Sequence, residues 1–155
     1  MILHDDPPAG VSLRHVIANV GSYAYLSPKR LKPIPAGCTT FNDWKYGLEK
    51  YNFTYKANLL STDDSRIQMR IRYLTRETRY LLGTVDPGAA DKSCGATAQG
   101  DGHIERGQLF WQSITQQYPG SWINSTQTLE LVQGASHGTA SIWTSAEGQR
   151  ALLSL

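Results

Sequence analysis

No stretch of this 155-residue chain is apolar for long enough to cross a bilayer, which takes about 20 residues in a row. Charge of one sign is lacking as well. Fifteen Lys and Arg face 13 Asp and Glu, the net charge is +2, and the basic residues are not bunched. That leaves no electrostatic footprint for a nucleic acid. The opening residues, Met1 to Pro8, have neither the basic start nor the apolar core of a signal peptide. Repeats and low-complexity tracts are missing too. The four histidines, His4, His15, His103 and His137, are scattered, and no two have the spacing of metal ligands on one helix. No metal or cofactor is therefore predicted, and Asp101-Gly102-His103 reads as a helix start.

What is present fits one globular domain. Hydrophobic residues make up 40% of the chain, and a domain of this size buries roughly 70% of the surface its unfolded chain exposes. Cysteine is scarce: Cys38 and Cys94 are the whole inventory, each in a loop-like context. They are either a disulfide closing a long loop or two unpaired thiols. Two sequons, at Asn52 and Asn124, point to a secreted glycoprotein.

Along the chain, residues 1–10 form an irregular leader rich in Pro and Gly. Val11 to Asn19 reads as a strand buried on both faces, with His15 structural. Residues 21–75 form a lid-like excursion. Within it, Gly21 to Thr40 is a loop. Phe41, Trp44, Leu48 and Tyr51 have helical spacing, so a helix is predicted over Phe41–Tyr51. Asp63 and Asp64 ahead of an apolar pattern predict a second helix, to Thr75. Thr78 to Gly83 is a strand and Thr84 to Gly88 a turn. A helix capped by Asp101 runs through Ile114. Leu129 to Val132 is a strand, and Ser145 caps a last short helix through Leu153. This alternation predicts α/β architecture with about three parallel strands flanked by helices.

Two of those strands end at a glycine followed, three residues on, by a group with catalytic chemistry. Asp86 follows Gly83 and His137 follows Gly134. Parallel strands next to each other share a C-terminal edge, which is where open α/β sheets bind ligands. There a carboxylate could accept from one imidazole nitrogen and leave the other to act as a base.

The order strand, Gly-x-x-Asp, helix, strand, Gly-x-x-His, helix resembles the C-terminal half of an α/β-hydrolase. The wording is similar to that of a group of secreted fungal esterase- and lipase-like α/β-hydrolases. The matching segments are Ala18-Asn19 with Ser22 to Tyr25, Asn42 to Leu48, Tyr80 to Gly83, Ser93-Cys94 with Ala98 to Gly100, Arg106-Gly107, and Gly134 to His137. The resemblance covers nearly everything from Val11 onward. It implies a partial α/β-hydrolase fold with Asp86 as triad acid and His137 as triad base. It also implies a disulfide between Cys38 and Cys94.

Such families carry their nucleophile on Gly-x-Ser-x-Gly upstream of the acid and the base. None lies upstream of Asp86; Gly134-Ala135-Ser136-His137-Gly138 has the pattern, but it follows the acid and carries the candidate base itself, which puts Ser136 in the wrong geometry. The resemblance therefore implies the acid–histidine portion of a serine carboxyl-ester hydrolase, inactive alone and acting on an acyl or ester substrate once completed. It also implies an open edge at the first strand, which pairs with another chain or copy, is covered by the Met1–Gly10 leader, or causes aggregation. The alternative is a truncated, non-catalytic remnant that binds small molecules or proteins. In either reading Tyr23, Tyr25, Trp44 and Trp143 are the candidate substrate-binding aromatics.

Overall fold

A computed structural model describes residues 8–51, 62–88 and 91–153. Its centre is a three-stranded sheet in the order β1-β2-β3: β1 (Arg14–Ala18), β2 (Glu77–Gly83) and β3 (Gln127–Val132). Both pairings are parallel, with Ile17 opposite Tyr80 and Tyr80 opposite Leu129. Among the described residues, six helices accompany them: α1 (Asp63–Thr75), α2 (Cys94–Thr97), α3 (His103–Gln117), α4 (Ser121–Thr126), α5 (Thr139–Trp143) and α6 (Ala146–Leu153).

The sheet is covered on both faces because its central strand is apolar on both. Tyr80, Leu81 and Leu82 are all fully buried, and successive strand residues point to opposite sides. Tyr80 joins a cluster with Tyr23, Tyr25, Met69, Tyr73, Phe110, Ile114 and Ile123, drawn from the excursion, α1, α3 and α4. Leu81 joins Val132, Ala135, Ile142 and Ala151 on the α5–α6 side. The predicted three parallel strands flanked by helices are what the structure shows.

α1 starts where the acidic pair said it would. Thr62 accepts from the Ser65 backbone N–H and Ser65 accepts from that of Thr62, a reciprocal cap that satisfies two orphan donors. Its last turn is held by Gln127, whose amide donates to the carbonyls of Tyr73 (3.2 Å) and Arg76 (2.9 Å).

Two expectations fail. Phe41–Tyr51 is not helical. Asn42, Asp43 and Gly47 fold the chain back on itself, with Glu49 N–H donating to Asn42 O (3.1 Å) and Trp44 N–H to Glu49 O (2.7 Å). A Cβ on Gly47 would lie 2.2 Å from Asn42 Oδ1, so the reversal depends on that glycine. Trp44, Leu48 and Tyr51 still face the core, as the pattern implied, but from a loop. At α3 the N-cap is Gly102, with no side-chain cap bond. Asp101 points away to Lys32 Nζ at 2.8 Å.

Candidate functional site

The C-terminal ends of the three strands are stitched into one unit. Asn19 follows β1 at φ 43°, a left-handed conformation that Asn tolerates better than most residues. Its Oδ1 accepts from Gly83 N–H at the end of β2 (2.8 Å). Its Nδ2 donates to Ser136 O beyond β3 (2.9 Å). Gly83 must lack a side chain, since a Cβ there would sit 2.4 Å from Ala135 O. Val85 N–H donates to Ala135 O (3.0 Å) and Gly134 N–H to Thr84 Oγ1 (2.9 Å). The turn bearing Asp86 and the turn bearing His137 are thus bonded to each other at several points.

On this platform Asp86 Oδ2 lies 3.0 Å from His137 Nδ1. The Asp86 side chain is 1% exposed and that of His137 is 59% exposed. An ionised carboxylate only accepts, so Nδ1 of His137 carries the proton and Nε2 is the nitrogen available to take another. A second imidazole reaches the same carboxylate. His103, the first residue of α3, places its Nδ1 3.0 Å from both Asp86 oxygens and is buried. The two rings lie 4.8 Å apart, centre to centre, tilted by 36°. Gly88 N–H adds a longer bond to Oδ1 (3.3 Å).

Burial alone would push the Asp86 carboxyl up. The hydrogen bonds from His137, His103 and Gly88 outweigh that and hold it below the usual carboxylate value. The group is therefore a stable anion beneath an exposed imidazole. Asp86, His103 and His137 also form a cluster whose potential ligand atoms lie within 4.8 Å of one another, and each nitrogen–oxygen separation quoted has hydrogen-bond length.

The other predicted residues fall elsewhere. Tyr23 and Tyr25 are core side chains packed on Phe110, Tyr23 stacked at 4.6 Å and Tyr25 edge-on at 5.1 Å. Trp44 is partly buried against Tyr51 at 5.0 Å. Trp143 packs on the α5–α6 side of the sheet. Cys38 and Cys94 form a disulfide with Cα atoms 5.7 Å apart. Asn124 is exposed on α4, while Asn52 lies outside the described residues. No helix among the described residues is long and apolar enough to cross a membrane.

Three residues around the site went unnoticed in the sequence as site residues: His103, Asn19 and Arg106. Arg106 is 1% exposed and donates to three backbone carbonyls: Gly21 (2.6 Å), Gly100 (2.8 Å) and Asp91 (2.9 Å). It ties the loops after β1 and β2 to the start of α3.

Known structures share this arrangement of strands and helices. Poly(aspartic acid) hydrolase-1 from Sphingomonas sp. KT-1 matches with a TM-score of 0.56 and 19% identity, over 86% of this chain and 43% of its own. LpqC, a poly(3-hydroxybutyrate) depolymerase from Bordetella parapertussis, matches with a TM-score of 0.53 and 18% identity, over 89% of this chain and 44% of its own. The fold is α/β-hydrolase-like. The chain spans less than half the length of either structure. No family model and no curated protein matches the sequence.

Proposed function

We propose that this chain is the acid–histidine portion of a serine carboxyl-ester hydrolase, with Asp86 the acid that orients His137 and His137 the general base. The observation that carries this reading is the 3.0 Å contact between the buried carboxylate and the exposed imidazole, at the shared end of two parallel strands. That arrangement fixes the tautomer and stabilises the imidazolium formed when a nucleophile gives up its proton. The substrate is an acyl or ester compound. The nucleophile comes from a Gly-x-Ser-x-Gly segment on an N-terminal part or on another chain, not from Gly134–Gly138, whose Ser136 adjoins the base itself. The disulfide and the exposed Asn124 sequon favour a secreted parent of the fungal kind that the sequence resembles.

The test supplies a nucleophile-bearing half, fused ahead of the chain or added in trans, and measures hydrolysis of a simple aryl ester. Without that half the expected turnover is negligible. With it, His137→Ala is expected to lower turnover on the order of a million-fold and Asp86→Asn about 10⁴-fold, the losses seen for such groups in well-studied serine proteases. A folded, joined protein that hydrolyses the ester equally well with Ala at position 137 would refute the reading.

A further inference from the structure

We propose that His103 is a positioning residue for the Asp86–His137 pair, locking the carboxylate in the orientation that His137 needs. The inference rests on reading that pair as acid and base. A base needs one imidazole on its acid, and here there are two. Held only by His137 on Oδ2 and the longer Gly88 bond on Oδ1, the carboxylate would keep some freedom to pivot about its side-chain torsion. His103 removes that freedom by sitting 3.0 Å from each oxygen, so that Oδ2 is shared between the two rings while Oδ1 faces His103 and Gly88.

His103 can serve as a fixed point because it is itself held. It is buried at the first turn of α3, and three residues on Arg106 anchors that helix to the carbonyls of Gly21, Gly100 and Asp91. The ring also lies against the loop after β1, where a Cβ on Gly21 would meet its Nε2 at 3.8 Å. His137, by contrast, is exposed and follows a loop. Its orientation is set through Asp86, and the orientation of Asp86 is set through His103. In reactions that depend on such alignment, a displacement of about 1 Å costs on the order of 100-fold in rate.

The experiment needs no turnover and uses the chain as it stands. Asn and Gln separate the Nδ1 contact from mere filling of the buried site, because an Asn amide nitrogen falls close to imidazole Nδ1 and a Gln amide nitrogen close to Nε2. The probe is the His137 Nδ1–H resonance of ¹⁵N-labelled protein and its exchange with water. In His103→Gln this proton is expected to exchange about tenfold faster than in the wild type, the loss of one charge-assisted hydrogen bond acting through the carboxylate. In His103→Asn it is expected to stay within about twofold. If the two variants behave alike while both keep the wild-type amide spectrum, the role of His103 is overturned and the acid–base pair stands. If Asp86→Asn leaves the His137 resonance unmoved, the pair itself is overturned, and this inference with it.

Discussion

Asn19 does what no hydrophobic contact could do at this site. It matches two backbone groups, the buried Gly83 N–H and the partly exposed Ser136 O, from a backbone angle of φ 43°. Replacing it separates those contributions. Asn19→Ala loses both bonds and adds left-handed strain, for about 3 kcal/mol. Asn19→Gly loses the bonds but not the angle and should cost about 1 kcal/mol less than Ala. Urea unfolding of the two variants measures the difference, and equal midpoints would mean that the angle carries no strain. The same scale shows what a sequence can disclose. That Asp86 and His137 meet was legible because each stands three residues past a glycine at or just beyond the end of a strand, a local pattern. Asn19 and His103 were not, because their partners lie 64 and 17 residues away. An Asn after a strand and a His at a helix start have ordinary local explanations that leave nothing to explain.

Elements were legible where local chemistry agreed with the final packing. α1 runs over Asp63–Thr75 as the acidic pair and apolar spacing predicted, and a reciprocal Thr62–Ser65 cap reinforces it. Phe41–Tyr51 has the spacing of a helix but the contacts of a loop, because Gly47 lets the chain close on Asn42 and the aromatic side chains reach the core from there. Asp101 was displaced as a cap by its ion pair with Lys32. α3 then depends on Arg106, a buried cation whose bonds go to three carbonyls on three separate loops. Arg106→Leu strands those carbonyls and is expected to cost about 3 kcal/mol in urea unfolding. Arg106→Lys keeps the charge but cannot span the three carbonyls, and should recover less than half of the loss. Full recovery by Lys would show that charge, not the fork of donors, holds the loops.

At the scale of the whole molecule, a disulfide and several carboxylates link the sheet, the helices and the long excursion. The Cys38–Cys94 disulfide spans 56 residues and joins the excursion to α2. A loop of that length corresponds to about 4 kcal/mol of lost chain entropy in the unfolded state. Three carboxylates hold three other seams. Glu77 pairs with Arg14 (2.8 Å) and Arg79 (2.9 Å), joining β1 to β2. Asp86 joins the end of β2 to α3 and the His137 loop. Asp91 accepts from Tyr46 (2.8 Å) and pairs with Lys45 (3.3 Å), joining the excursion to the segment before α2. All three are held below their ordinary values. Burial raises Glu77 and Asp86, but the arginines at Glu77, and the histidines and Gly88 at Asp86, more than reverse it. Ser93 leads at Asp91, against a smaller effect of burial, with Tyr46 and Lys45 adding to the depression. A carboxyl depressed in the folded state binds its proton more readily in the unfolded chain. Its stabilising contribution is therefore complete above the unfolded value, near pH 4, and is lost as pH falls through the folded one. For these three groups the urea midpoint should stay level from neutral pH down to about pH 5 and drop steeply below about pH 4. Asp86→Asn should start lower at neutral pH and fall less steeply in acid, because one of the three linked protons has been removed. A midpoint that held constant to about pH 2 would show that these carboxylates contribute nothing to the seams they bridge.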